Sequence, residues 1–229
     1  MASYDSQSLA SVSRKALQKY NLPDVRYLFE HPIENPKWKT IIDKAINQYC
    51  HQKWSEETQQ KPTLKYIQIQ DNPTKVDHNI WRSVLPVEHD VRKAEIKARI
   101  ITRTYILQTN TAQYNKVKVS PTCLMCGHGD ETLQHFLLDC EQLEGTRKIG
   151  TKMLAEIIEE IHPLGLSLFN TREDLTQLIT DCSHKNIRSI IQLPMRLHLR
   201  IERASQCYIY HLHNKRVQLL TPGPFVNPT

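Results

Sequence analysis

The stretch Cys123-Leu-Met-Cys-Gly-His-Gly-Asp-Glu-Thr-Leu-Gln-His-Phe-Leu-Leu-Asp-Cys140 sets two cysteines, a histidine and a third cysteine at the spacing C-x2-C-x8-H-x4-C. Two thiols three positions apart can face one ion across a tight turn, and Gly127 and Gly129 supply the left-handed backbone such a turn needs. Asp130 reads as the N-cap of a short helix carrying the apolar residues Leu133, Phe136 and Leu137. That helix would bring His135 to the ion from its side and Cys140 from its end. The expected ligands of one structural zinc ion are therefore Cys123, Cys126, His135 and Cys140, a closed tetrahedral set that leaves no position for a reacting water. His128 is a second histidine within reach, but it lies inside the turn, where a C-x-H pair around one ion would be strained. Free cysteine also buries as a small hydrophobe, so four such residues can meet in a core without a metal. Ligand types at this spacing seldom coincide by chance, which favours the metal.

A chain of 229 residues and 26.8 kDa fits one large domain or two small ones. Glycine is scarce, at 6, and apolar residues recur at helical spacing, so the expected fold is mainly α: a helical domain with a small inserted zinc-knuckle-like element. No apolar run has the length of a membrane helix, and Met1-Ala-Ser-Tyr-Asp lacks a charged segment followed by an apolar block. The expected location is intracellular, nuclear or cytoplasmic. Cys50, Cys182 and Cys207 need no disulfide in a reducing compartment. A formal charge of +6 favours RNA or DNA backbone as partner, with other proteins as the alternative, and no membrane or small-molecule substrate is expected.

Asn35-Pro36 opens the clearest helix, with Trp38, Ile41, Ile42, Ala45, Ile46, Tyr49, Cys50 and Trp54 on one stripe expected to pack inward. Ser55 to Thr63 reads as a loop, Leu64-Lys-Tyr-Ile-Gln-Ile as a short extended segment, and Asp71-Asn-Pro-Thr as a turn. The next helix is expected from about Asp90 to Gln108. At about 100° per residue, Val91, Ala94, Ala98, Ile101 and Tyr105 share one face, while Arg92, Arg99 and Arg103 fall within about 40° on another. That arginine ridge would run roughly 16 Å, the reach of several phosphates. Lys93 and Lys97 occupy a neighbouring band, and Lys116 and Lys118 lead into Cys123. These seven side chains are the candidate nucleic-acid contacts; a solvated basic face with arginine stems packed on the core is the competing account.

Beyond the metal motif, Ile149, Met153, Leu154, Ile157, Ile158 and Ile161 mark a helix with Glu156, Glu159 and Glu160 on its other side. Thr171 and Asp174 form a capping pair for a helix running to Cys182. Pro194 begins a long helix with Leu197, Ile201, Ala204, Tyr208 and Leu212 on one face and Arg196, Arg200 and Arg203 elsewhere. Cys182, His184, Cys207, His211 and His213 raise a second metal site, but the C-x-H and H-x-H spacings suit extended backbone in surroundings that look helical. The expected organisation is a helical region over 1–108, a zinc-binding knuckle over 109–147, a C-terminal helical region over 148–222 and a disordered tail over 223–229.

The segments Ile80-Trp-Arg-Ser-Val-Leu-Pro, Tyr105-Ile-Leu-Gln-Thr-Asn, Val119-Ser-Pro-Thr-Cys-Leu-Met-Cys and Glu131-Thr-Leu-Gln-His-Phe-Leu-Leu-Asp-Cys resemble a known family. The chain is similar there to the region that follows the polymerase domain in reverse transcriptases of LINE-type non-LTR retrotransposons, including its zinc-binding element. The likeness spans about residues 78 to 147, with echoes in Trp38-Lys-Thr-Ile-Ile-Asp-Lys-Ala-Ile-Asn and Tyr210-His-Leu-His-Asn-Lys-Arg. It implies metal-ligand roles for Cys123, Cys126, His135 and Cys140, and a helix before them that helps hold template RNA or target DNA. Polymerase chemistry does not carry over, because nucleotidyl transfer needs paired aspartates for two metal ions and these residues contain no Asp-Asp pair. The restriction-like nuclease of some relatives needs a Pro-Asp after the knuckle, and Pro23-Asp24 lies before it. The expected function is non-catalytic nucleic-acid binding, with a protein-interaction scaffold or an inactive mobile-element remnant as alternatives.

Overall fold

The computed structural model describes residues 9–69, 74, 77–115 and 119–221. The fold is mainly α, and no strand occurs among the described residues. The turn expected at Asp71 to Pro73 and the tail over 223–229 lie outside the described residues. The chain divides into two compact units, Met1–Gln60 with Ile69–Val76 and Lys61–Gln68 with Asp77–Thr229. This division differs from the expected boundaries near 108 and 147. The metal motif shares a unit with the helices on both sides of it, because its apolar residues belong to their core.

The first unit contains α1 (Leu9–Lys19), α2 (Val25–Glu30) and α3 (Asn35–Gln60). Asp24 caps α2, its Oδ1 accepting from the Tyr27 amide at 2.7 Å. α3 starts where Asn35-Pro36 predicts but continues through the stretch read as a loop. Glu56, Gln59 and Gln60 are good helix formers, Gln52 donates to Glu56 one turn on at 3.0 Å, and the helix stops just before Pro62. Its stripe is half-buried rather than inward-packed: Asn47 is its buried residue, and Trp54 is exposed. Tyr20, just past α1, meets Tyr49 of α3 edge-on at 5.1 Å, with the Lys19 ammonium near both rings.

The second unit opens with a 3-10 turn over Pro62–Leu64 in place of the expected extended segment. The following residues find their backbone partners on side chains instead of on a strand. Gln177 donates to the Tyr66 carbonyl at 3.1 Å, and the Gln68 amide donates to Asp181 at 2.9 Å. The remaining helices are α4 (Asn79–Arg82), α5 (Glu88–Ile101), α6 (Gln108–Tyr114), α7 (Glu144–Glu159), α8 (Arg172–Thr180), α9 (Lys185–Ile190) and α10 (Met195–Leu220). α10 is the axis, packed against α7 and α5 through the expected face of Leu197, Ile201, Ala204, Tyr208 and Leu212. Thr171 and Asp174 form the expected capping box, and α8 stops at Thr180, short of Cys182. On α7, Leu154, Ile157 and Ile158 are buried as the periodicity requires, whereas Ile149 is exposed.

Two expectations about α5 fail for one reason. The helix ends at Ile101 rather than near Gln108, because the Thr104 and Tyr105 amides both turn back to the Arg99 carbonyl at 2.9 Å and Arg103 takes φ +53°. This is the left-handed helix ending usually given to glycine, and it costs an arginine about 1–2 kcal/mol of backbone energy. With the chain reversing there, the buried face becomes Ala94, Ile96, Lys97, Ile100 and Ile101, rotated away from the expected set, and Val91 is exposed.

Asp181, fully buried, ties several segments of this unit together. It accepts from the Ser183 hydroxyl at 2.6 Å and the Gln68 amide, and its Oδ2 lies 3.2 Å from His78 Nε2. Burial alone would push its carboxyl up, but these donors and the His78 charge outweigh that and hold it at about 2. Because the folded-state value is depressed, its contribution is present above the ordinary aspartate range and lost as pH falls toward 2.

Gly150 sits where α7 crosses α10. A Cβ there would run into the Tyr208 ring, whose Cγ and Cε2 would lie 2.8 and 2.9 Å away. Helix propensity alone makes Gly150→Ala stabilising by about 1 kcal/mol. The crossing reverses the sign, and the substitution is expected to cost about 1–3 kcal/mol in chemical denaturation. A gain in stability would mean that α7 and α10 do not approach so closely.

Candidate metal centre

The four expected ligands converge. The Sγ atoms of Cys123, Cys126 and Cys140 and a ring nitrogen of His135 all lie within 4.8 Å of one another, and this group could hold one metal ion. Cys123 and Cys140 are buried and their sulfurs are 3.9 Å apart; Cys126 Sγ lies 3.4 Å from His135 Nε2. A tetrahedral ion with bonds of about 2.3 Å to sulfur and 2.0 Å to nitrogen needs donor separations of about 3.8 Å and 3.5 Å. The donors are therefore close to coordinating distance before any ion is added. A disulfide, at about 2.05 Å, is excluded by the same spacing.

Local backbone explains the convergence. Cys123 and Cys126 flank a turn closed by the Gly127 amide on the Cys123 carbonyl at 2.9 Å, with Gly127 and Gly129 at φ +70° and +65°. A single antiparallel bridge, Thr122 with Asp130, closes the loop's base. Asp130 is therefore a bridge residue and not the expected N-cap. Thr132 takes that role, its Oγ1 accepting from the His135 amide at 3.1 Å. Residues His135–Asp139 then form a π turn, with the Cys140 amide on the His135 carbonyl at 2.8 Å. In a regular α-helix, positions five apart point about 140° away from each other; the wider turn brings the His135 and Cys140 donors into one cluster.

Neighbouring groups hold this unusual turn. Tyr208 donates to the Leu137 carbonyl at 2.5 Å, and Arg147 donates to the Leu137 and Cys140 carbonyls at 3.1 and 2.6 Å. Backbone amides also point at the sulfurs. Those of Met125 and Cys126 face Cys123, that of Gln142 faces Cys140, and that of His128 faces Cys126 at 3.4 Å. Burial pushes both Cys123 and Cys140 up, Cys140 to about 12 with the Cys123 and Cys126 sulfurs adding to the effect. A cation at the centre would reverse that preference and favour thiolates. His128 stays outside the cluster, its exposed ring 3.8 Å from Glu141.

One side chain with no warning in the sequence anchors this element to the helices. Glu131, buried, pairs with Arg216 of α10 at 2.7 and 3.0 Å and accepts from the Gln108 amide at 2.7 Å. The Thr109 hydroxyl adds a bond to the Glu131 carbonyl. A glutamate in a polar turn looks exposed in sequence, and only its partner 85 positions away buries it.

The candidate nucleic-acid residues separate into distinct groups. Arg92 and Arg99 are exposed, and together with Arg103 they have no carboxylate within 4 Å among the described residues. Arg92, Arg99 and Arg216 gather around His213; burial first and then these charges push its pKa down. Arg103 leaves the helical ridge because α5 has ended, and its guanidinium stands 5.9 Å from the Tyr66 ring. Lys93 is drawn to Asp90 at 3.0 Å. Lys97 must be withdrawn from the set: it is fully buried, 2.7 Å from Glu202 and 2.5 Å from the Ser205 hydroxyl. Lys116 and Lys118 lie outside the described residues. The second suggested metal set does not assemble. Cys182 is buried against the His198 carbonyl, His213 bonds the Tyr105 hydroxyl at 2.8 Å, and His211 is exposed.

Removing one partner of the Lys97–Glu202 pair leaves a buried charge, so Lys97→Ala should cost about 3–5 kcal/mol in denaturant; a loss below about 1 kcal/mol would place Lys97 in solvent. Cys126→Ser should abolish metal uptake and remove hydrogen-exchange protection from Phe136, Leu137 and Leu143 while sparing α3. Equal loss in both places would contradict two separate cores. Protons compete for the same thiols, so metal affinity should fall as pH is lowered, by about ten-fold per unit for each proton displaced. No family model matches this chain, and neither does a curated protein or a solved structure.

Proposed function

We propose that the chain is a non-catalytic nucleic-acid-binding module stabilised by one structural zinc ion, of the kind that follows the polymerase domain in LINE-type reverse transcriptases. Three sulfurs and one nitrogen at tetrahedral separations suit zinc better than harder cations. Four protein ligands close the coordination sphere, which supports a folding role over activation of water. The observation that carries the binding reading is the set Arg92, Arg99 and Arg103, three arginines without a carboxylate partner among the described residues, in a unit where Arg147, Arg172, Arg200, Arg203 and Arg216 are each engaged by a carboxylate or a backbone carbonyl. Arginine left unpaired on a surface is suited to phosphate oxygens. Contacts of this kind position a strand without reading its sequence.

A protein-interaction role is favoured by a different observation. Trp81 on α4, Leu85 and Val87 in the link that follows it, and Val91 on α5 succeed one another along the chain, and each is about half exposed, between 45% and 53%. Among the described residues no helix is long and apolar enough to cross a membrane.

Salt separates the two. Zinc-loaded protein should bind labelled single-stranded RNA or duplex DNA with log affinity falling steeply against log salt, and the double variant Arg92→Ala, Arg99→Ala should lower that slope by about 1 per lost contact. Absence of binding at low salt would overturn the nucleic-acid reading and direct attention to the apolar segment.

A further inference from the structure

We infer that the hollow between the end of α5, α6 and the metal element receives one unpaired nucleobase, whose strand lays its phosphates on Arg99 and Arg103. This rests on the nucleic-acid reading and adds a base-holding site to it. The hollow has a volume of about 240 Å³ and is lined by Arg103, Tyr105, Leu107, Asn110, Gln113 and Leu133, among others. That is small against the few hundred to a thousand Å³ of drug-sized sites, and suits a single heterocycle.

The lining has the two parts a base needs. Leu107, Tyr105 and Leu133 supply apolar lining against which a flat ring loses water. Other lining groups are able to meet a base edge. Asn110 uses its Oδ1 to accept from the Leu107 amide at 3.2 Å, which leaves its NH2 as donor. The Gln113 amide offers both donor and acceptor from an exposed position with no hydrogen-bond partner among the described residues. A base paired in a duplex has its edge and faces occupied, so only an unpaired one can enter.

Arg103 sits at the rim in a backbone conformation where glycine would be cheaper. Its left-handed turn presents the guanidinium beside the hollow instead of along the α5 ridge. The metal element builds the opposite wall. Thr132 and Leu133 line the hollow just before the ligand His135, and Glu131 holds the first turn of α6 through the Gln108 amide and the Thr109 hydroxyl. The groups that face the base are thus positioned from the metal centre.

The test uses the full metal-loaded chain and short single strands, in RNA and DNA versions, each intact or with all of its bases removed. Abasic strands keep every phosphate. They should bind about ten-fold more weakly than intact strands with the same salt slope. Gln113→Ala should produce the same loss on intact strands and none on abasic ones. Arg103→Gly should weaken binding of both kinds while thermal stability holds or rises, since glycine fits the turn; a merely structural arginine would show the opposite pattern. Loss confined to RNA or to DNA would assign the site to that strand's nucleotides. Equal binding of intact and abasic strands with a steep salt slope would overturn the base site and leave the phosphate reading standing. No binding of any strand at low salt would overturn both.

Discussion

Two buried thiols set side by side impose the constraint from which the rest of the second unit follows. Cys123 and Cys140 sit with their sulfurs 3.9 Å apart among the core side chains of α7, α8 and α10. Bringing them there requires a glycine-bearing turn on one side and a π turn on the other, neither of which is a low-energy choice for an isolated segment. On the proposed reading, zinc supplies the compensation, on the order of 10 kcal/mol at neutral pH. That is comparable to the whole net stability of a typical domain, about 5–15 kcal/mol. Phe136, Leu137 and Leu143 are fully buried in the same core, so the metal element is a wall of that core and not an appendage to it.

The basic residues show how burial sorts side chains that look alike in one dimension. Lys97 and Arg99 are two positions apart on one helix. Lys97 disappears into an ion pair with Glu202, while Arg99 remains exposed with its guanidinium over the Tyr105 ring. Arg216 is taken by Glu131, Arg200 by Glu160 and Arg172 by Asp139. Arg92, Arg99 and Arg103, which have no carboxylate within reach among the described residues, lie on α5 and just past its end. A formal charge of +6 says nothing about this sorting, since it counts a neutralised lysine and a free arginine equally. The buried pairs are weak sources of net stability, but leaving one of their members alone is costly, which fixes the packing of α5 on α10.

Two backbone departures from regular helix lie close along this unit: Thr132 and Leu133, which lead into the π turn at 135–139, line the same hollow as the left-handed Arg103. Tyr208 and Arg147 hold the π turn from other helices, while the amides of Thr104 and Tyr105, both on the Arg99 carbonyl, close the turn at Arg103 locally. Strain maintained by its surroundings is more informative about use than strain in a free loop. Gly150 permits the arrangement by letting the Tyr208 ring lie directly on α7, where its hydroxyl can reach the Leu137 carbonyl.

By itself the sequence determined the helical class, the starts of α3 and α10, the Thr171 cap and the four side chains that meet at the metal centre. Each of these depends on chemistry within a few residues: a proline at a first turn, a capping hydroxyl three positions from its carboxylate, ligand types at a fixed spacing. The tertiary structure alone decided where α5 stops, which of its faces is buried, that Lys97 and Glu131 are interior, and that a π turn rather than a capped α-helix aligns His135 with Cys140. Apart from the local turn onto the Arg99 carbonyl that ends α5, those outcomes depend on partners 71 to 108 positions away, such as Ser205, Arg216 and Tyr208. A periodic pattern records how a segment can present a face, but which face is buried is set by the shape and charge of what arrives to cover it.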